Sequence, residues 1–150
     1  MTDTLHATAI AVEGHGVLLL GRSGAGKSDL ALRLIDRGAE LVADDRVIAT
    51  PRGGHLWLSA PPRLAGLIEL RGLGIHAAPF RREARALMAF DLDAPPQRLP
   101  AIAAGVFSGV SLPVLPLAGL EASAAIRVEW GVAVMLRDGL DGFDADGKFR

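Results

Sequence analysis

The segment from Gly21 to Ser28 carries the strongest chemical signal in the sequence, because its residue types and their spacing suit phosphate binding. It reads Gly21-Arg22-Ser23-Gly24-Ala25-Gly26-Lys27-Ser28 and fits the pattern G-x-x-x-x-G-K-[ST] at each fixed position. Glycines let successive backbone N–H groups converge on phosphate oxygens. We expect all eight residues to bind a nucleoside triphosphate, with Lys27 reaching the β- and γ-phosphates and the Ser28 hydroxyl ligating Mg²⁺.

Two adjacent carboxylates, Asp44 and Asp45, form the second group that could do chemistry. They follow residues 39–43, a short apolar stretch typical of a buried strand. An apolar strand that ends in aspartate is the usual source of a further Mg²⁺ ligand beside a phosphate-binding loop. With two carboxylates, one can face the metal while the other accepts a proton from the hydroxyl of an acceptor. We therefore predict both aspartates beside the loop.

The elements around the loop are of the kinds needed to bring these groups together. Residues 16–20 read as a buried strand, and residues 29–37 have helical apolar spacing that ends at Gly38. Strand, helix and strand in this order predict a right-handed parallel crossover. Ligands in open α/β sheets bind at the carboxyl ends of parallel strands, so the loop and the aspartates are expected at one edge of the sheet.

Hydrophobic patterning predicts further strands along the chain. Residues 5–12 read as one strand, residues 46–50 and 55–60 as a hairpin, and residues 86–92 as another strand.

Two later segments carry specific expectations. In residues 67–75, Glu69 and Arg71 alternate with apolar neighbours, so both are expected on one face of a strand. Residues 122–137 predict a terminal helix with an apolar face that contains Ile126, Trp130 and Val134.

Length and composition predict one domain, residues 1–150, without a nucleic-acid or membrane partner. A chain of 150 residues is long enough for a single core. The formal net charge of -1 offers no basic surface to nucleic acid or anionic lipid. The absence of cysteine excludes disulfides and thiolate metal sites. The first residues lack a basic region followed by an apolar core, which predicts a cytoplasmic protein.

Residues 99–120 carry no charge and are long enough to cross a bilayer. They nevertheless predict a buried strand-and-loop segment, because three prolines and three glycines would interrupt a spanning helix repeatedly.

Three blocks of the sequence together resemble the catalytic domain of the bacterial HPr kinase/phosphorylase family, in a short form that lacks the amino-terminal domain. Residues 21–29 are similar to the family's loop G-x-S-G-x-G-K-S-E, and residues 41–45 to its strand end L-[IV]-A-D-D. Residues 68–75 resemble its signature L-E-I-R-G-L-G-I, the most diagnostic block. The resemblance spans residues 5–92 and implies an α/β fold: a P-loop-containing, mixed β-sheet with few helices, similar to phosphoenolpyruvate carboxykinase.

The resemblance also implies roles for single residues, with ATP and Mg²⁺ as cofactors. It assigns Lys27 to the nucleotide phosphates, and Ser28 with Glu69 to the divalent metal. Asp45 is implied to support the metal or Asp44.

The same resemblance implies a catalytic group of Asp44, His6 and Lys27. Asp44 becomes the acid/base residue. The spacing between His6 and Gly14 is the one that the family shows for its catalytic histidine. His6 is therefore implied to act with Asp44. Arg71 is implied to lie close to the transferred phosphate. The sequence departs from the family at Asp29, where a glutamate is usual.

The leading hypothesis is an ATP-dependent protein serine kinase that acts on the phosphocarrier HPr or a close relative and regulates a phosphotransferase system. In the family the same site also runs phosphorolysis of the phosphoserine, and the chains form hexamers, which implies a homo-oligomer here. A kinase of a small molecule is the second hypothesis, because a fold does not determine a substrate. A nucleotide-binding module that senses ATP without efficient transfer is the third.

Overall fold

Eleven strands and two helices make up the part of the chain that the computed structural model describes, which is residues 1–95, 97–98 and 102–143. The strands are β1 Asp3–His6, β2 Thr8–Val12, β3 His15–Leu20, β4 Glu40–Ala43, β5 Arg46–Arg52, β6 His55–Ser59, β7 Leu67–Leu70, β8 Gly74–Ala77, β9 Glu83–Asp91, β10 Ala103–Phe107 and β11 Val110–Pro116. The helices are α1 Lys27–Asp36 and α2 Ala124–Asp138. Short 3-10 turns occur at Pro62–Leu64 and Gly139–Phe143.

Nine of these strands form one mixed sheet in the order β1-β5-β6-β9-β3-β2-β4, with β11 also pairing with β9, and β10 with β11. Strands β7 and β8 form a separate antiparallel pair. Strand β2 is antiparallel to both β3 and β4, so β3 and β4 run in the same direction with β2 between them. This arrangement confirms the predicted parallel relation of the two strands that flank α1.

The parallel strands β3, β9 and β11 end level with one another. Leu20 at the end of β3 pairs with Asp91 of β9, and Pro116 at the end of β11 pairs with the same Asp91. The carboxyl ends of β3, β4, β9 and β11 therefore lie at one edge of the sheet, which is where an α/β sheet builds a ligand site.

The core lies on both faces of the central sheet, because successive side chains of a strand point to opposite faces. Leu19 of β3 belongs to a cluster with Leu30 and Leu34 of α1 and Val128 of α2. Its neighbour Leu18 belongs to a second cluster with residues of β5 and β6. One face is thus covered by the helices and the other by the β5–β6 hairpin.

The predicted strand at residues 5–12 is wrong as a single element. The chain bends at Ala7, so that β1 pairs with β5 while β2 enters the centre of the sheet. The backbone N–H of Ala7 donates to the carbonyl of Asp45 over 3.2 Å, which holds the bend. The hairpin predicted at residues 46–60 is confirmed as β5 and β6.

The terminal helix is confirmed as α2, but its predicted buried face is wrong. Ile126 is 41% and Trp130 is 70% exposed. The residues that α2 buries are mostly small and belong to the neighbouring stripe: Ala124, Ala125, Val128, Gly131 and Val132.

The uncharged segment forms the hairpin of β10 and β11 from residue 103 onward, while residues 99–101 lie outside the described residues. Strand β11 is partly buried against β9, but β10 is mostly exposed at the edge, so the prediction of a buried segment holds for β11 alone. Within the described residues, no helix combines the length and the apolar character needed to cross a membrane.

Candidate functional site

The loop at residues 21–28 connects β3 to α1 with its amide groups left open to a ligand. Gly24 and Gly26 have φ of 87° and 96°, a left-handed conformation that glycine adopts without strain. Helix α1 begins at Lys27 and has no side-chain cap. Among the described residues, the N–H groups of Ser23, Gly24, Gly26, Lys27 and Ser28 make no hydrogen bond. Uncapped amides at the positive end of a helix form a binding site for phosphate.

Lys27 is buried inside the curl of this loop, with 7% of its surface exposed. Its ammonium group donates to the carbonyl oxygens of Gly21 and Arg22, at 3.0 Å for Arg22. An ammonium group has three donors, so one remains for a phosphate oxygen. These two hydrogen bonds hold the Lys27 ammonium group beside the open amides of the loop.

Asp44, which follows β4, contacts the loop directly. The Ser28 hydroxyl donates to Asp44 Oδ1 over 2.6 Å, and the Thr8 hydroxyl donates to the same oxygen over 3.3 Å. The backbone N–H of Glu69 donates to Asp44 Oδ2 over 3.2 Å. Residues from four separate parts of the chain therefore meet at one carboxylate.

Asp45 points away from this cluster and toward His6. Its φ of 68° is left-handed, a conformation that aspartate tolerates better than most residues, and it turns the chain sharply after Asp44. The Asp45 carboxylate lies 3.5 Å from His6 Nδ1, and both side chains are more than half exposed. The two neighbouring aspartates thus face different partners.

Glu69 and Arg71 do not share a strand face, contrary to the prediction. Strand β7 ends at Leu70, and Arg71 lies in the turn to β8. Both side chains are exposed, and neither forms a salt bridge within the described residues. Arg71 therefore has no ion pair with another predicted site residue among the described residues.

Two residues of the site were not anticipated from the sequence. Thr8 is fully buried in β2 and contacts Asp44. Asp93, just after β9, accepts from the backbone N–H of Arg22 over 2.8 Å and pairs with its guanidinium at 3.2 Å. Two features of the sequence could have indicated these residues. Thr8 is a threonine in an otherwise apolar strand, and Asp93, like Asp44, lies just beyond the end of a strand.

The oxygen donors around Ser28 fit Mg²⁺, which prefers oxygen ligands. The Ser28 hydroxyl and the Asp44 carboxylate already lie 2.6 Å apart. The described part of the chain contains no cluster of three or more histidine, aspartate or glutamate side chains around one point. Mg²⁺ usually binds through one or two carboxylates together with waters and substrate phosphates, so this donor set suits a magnesium whose shell a nucleotide completes.

Comparison with known proteins connects this site to one family. The family model of the HPr Serine kinase C-terminal domain matches residues 1–78, which include the loop, both aspartates and Glu69. The chain is 49% identical over 75 residues to the HPr kinase/phosphorylase of Brevibacillus brevis and 48% identical over 75 residues to that of Bordetella petrii. Each match covers 49% of this chain and 24% of the relative, so the matched part is about a quarter of these curated relatives.

A solved structure extends the likeness beyond the matched sequence. The Hpr(Ser) kinase/phosphatase from Coxiella burnetii has a TM-score of 0.77 and 25% sequence identity to this chain. The match covers 87% of this chain and 94% of that one. It confirms the predicted α/β class with a mixed sheet and few helices.

Proposed function

Because the chain belongs to the family of the HPr Serine kinase C-terminal domain, we propose that it is an ATP-dependent kinase that phosphorylates a serine of an HPr-type phosphocarrier protein. The contact of 2.6 Å between Ser28 of the phosphate loop and Asp44 at the end of β4 carries the proposal. A carboxylate that can accept a proton thus lies beside the residue that would bind the metal, an arrangement that phosphoryl transfer requires.

The nucleotide is assigned to the loop at residues 21–28. The open amides and the free donor of Lys27 would hold the β- and γ-phosphates. Ser28 would ligate Mg²⁺, with Glu69 as a further carboxylate donor, whereas the predicted contribution of Asp45 to the metal does not fit its contact with His6. When bound, the metal neutralises charge on the phosphate oxygens.

Asp44 is assigned the acid/base role. A carboxylate has about four lone-pair positions, and three donors reach Asp44 in the structure, from Ser28, Thr8 and Glu69. The remaining position would accept the proton of the acceptor serine as its oxygen attacks the γ-phosphorus. The bond from the γ-phosphorus to the bridging oxygen breaks, and ADP leaves.

His6 is assigned to the incoming acceptor protein, and Arg71 is assigned to the phosphate that is transferred. His6 is held against Asp45 at the exposed side of the site, where an acceptor protein would arrive. Arg71 lies in the exposed turn next to Glu69, and its guanidinium would pair with the phosphate as it moves.

Phosphorolysis of the phosphoserine would use the same groups. Inorganic phosphate would attack the phosphoserine of the carrier, and Asp44 would return the proton to the serine oxygen, giving pyrophosphate. We propose this activity because the chain belongs to the family. For the same reason we propose a role in regulating a phosphotransferase system, a homo-oligomeric and hexameric assembly, and a cytoplasmic location.

Transfer of γ-labelled phosphate from ATP to a purified HPr-type carrier, in the presence of Mg²⁺, tests the proposal. We expect labelled phosphoserine with the parent, and a loss of at least about 100-fold with Asp44→Asn, which keeps the shape of the side chain and removes its basicity. Lys27→Ala should also lose activity, through weaker binding of ATP.

Asp36→Asn is the matched control, because Asp36 is an exposed aspartate at the far end of α1. Its rate should equal that of the parent. If ATP binds but no carrier is labelled, the assignment of the acceptor is wrong. The hypothesis of a small-molecule kinase is then favoured. If Asp44→Asn transfers phosphate like the parent, the catalytic assignment is wrong.

A further inference from the structure

A groove lies beside the phosphate loop on the flank away from Asp44. It has a volume of about 470 Å³, within the range of small-ligand pockets. Three segments line it, with Arg22, Gly24 and Ala25 from the loop, residues 92–95 from the chain after β9, and residues 118–121 from the chain after β11. No residue of the proposed catalytic group lines this groove.

The sheet topology explains why these three segments meet. Strands β3, β9 and β11 are parallel neighbours that end level at Leu20, Asp91 and Pro116. Each continues into one wall of the groove. Strand β4, which delivers Asp44, lies on the other side of β3, beyond β2. The loop therefore has the catalytic carboxylate on one flank and the groove on the opposite flank.

The walls of the groove are held in place by contacts that are independent of any ligand. Asp93 accepts from the backbone N–H and the guanidinium of Arg22, which joins the second wall to the loop. Arg33 of α1 donates to the carbonyl oxygen of Glu121 over 2.9 Å and to that of Gly119. Gly119 packs so closely on Leu92 that an added Cβ would lie 2.5 Å from its Cδ2. A groove that is formed before binding avoids the entropic loss of ordering it.

We propose that this groove binds the nucleoside part of the nucleotide, its base and ribose; this inference rests on the proposed function. The γ-phosphate must face Ser28 and Asp44, so the α-phosphate and the nucleoside extend across the loop to the opposite flank. Apolar side chains there suit the faces of a base: Leu92, Ala94, Pro95, Ala118 and Leu120. Glu121, which also lines the groove, offers its carboxylate to the ribose hydroxyls.

The decisive experiment separates nucleoside binding from phosphate binding. Calorimetry would measure the affinities of Mg²⁺-ATP and of Mg²⁺-tripolyphosphate, which has the same three phosphates without a nucleoside. In Ala94→Trp, the indole fills the groove, and we expect ATP to bind at least tenfold more weakly while tripolyphosphate binds within twofold of the parent. Ala104→Trp is the control, because Ala104 lies on the exposed edge strand β10, and both affinities should be unchanged.

Leu120→Ser provides a second test that does not endanger folding, because Leu120 is 72% exposed. It should weaken ATP several-fold and leave tripolyphosphate unchanged, with Leu136→Ser on α2 as the matched control. If ATP affinity is unaffected in both groove variants, or if both ligands weaken equally, the groove assignment is overturned. If the parent binds neither ligand, the proposed kinase function itself fails.

Discussion

Asp44 and Asp45 are identical neighbours in the sequence that contact different parts of the molecule. The left-handed backbone of Asp45 reverses the chain after Asp44, so one carboxylate faces Ser28 and the other faces His6. The roles predicted for the two aspartates stay predictions, because these contacts show only what each carboxylate faces. Which aspartate faces Ser28 depends on this backbone turn, which residue types alone do not specify.

Thr8 provides a test of how Asp44 is held. Thr8→Val keeps the volume of this fully buried side chain and removes the hydroxyl that donates to Asp44 Oδ1. Loss of one hydrogen bond to a charged group is worth about 1.5 kcal/mol, so we expect the rate of phosphate transfer to fall by about tenfold. Initial rates at saturating ATP would measure it.

Thr8→Ser is the matched control, because it retains the hydroxyl and loses one methyl group. It should transfer phosphate faster than Thr8→Val, although the small cavity makes it less stable than the parent. If the valine variant is as active as the parent, the contact between Thr8 and Asp44 has no part in catalysis.

Helix α2 shows, at the scale of elements, why periodicity found the helix but not its buried face. Large apolar residues at Ile126, Trp130 and Val134 form a stripe of helical spacing, yet the helix packs through the small residues beside it. Gly131 lies against Phe90 of β9, where an added Cβ would come within 3.0 Å of the ring. Small side chains allow the helix to approach the sheet closely, and the packed surface follows from that approach.

Paired truncations on α2 would measure this orientation. Val128 is fully buried and Ile126 is 41% exposed, although both are branched aliphatic residues on the same helix. We expect Val128→Ala to lower the free energy of unfolding by about 2 kcal/mol, through lost burial and a residual cavity. Ile126→Ala should change it by less than about 1 kcal/mol. Urea unfolding followed by far-ultraviolet circular dichroism would decide, and a larger effect at Ile126 would contradict the observed face.

The whole molecule is organised by the central strands, which separate two clusters of buried side chains. Strand β9 pairs with β6 in its first third and with β3 and β11 toward its end. It therefore links the hairpin that covers one face to the strands that carry the site. Because both clusters share this sheet, we propose that residues 1–150 unfold as one domain.

The two tryptophans allow that proposal to be tested with independent probes. Trp57 lies on β6, with the Arg52 guanidinium 4.4 Å from its ring, and Trp130 lies on α2 on the opposite side of the sheet. In the single-tryptophan variants Trp57→Phe and Trp130→Phe, each fluorescence transition in urea should coincide with the loss of circular dichroism of the same variant. Separate midpoints within one variant would show that the two sides unfold independently.

Local patterns in the sequence predicted the glycine-rich loop at residues 21–28, the α/β class and a strand followed by two aspartates. These features are local: glycine spacing, apolar runs and helical periodicity act over a few residues, so the chain reveals them without its fold. The family resemblance added Glu69 and His6 to the predicted site, and those roles stay predictions.

The way in which the site is assembled follows from the tertiary fold and could not be predicted from local patterns. The contact between Thr8 and Asp44 joins residues 36 positions apart, and that between Arg22 and Asp93 joins residues 71 positions apart. Strand order brings such pairs together, and it follows from the packing of all the strands at once. For the same reason the groove beside the loop appears only when β3, β9 and β11 are aligned, because no single segment contains more than one of its walls.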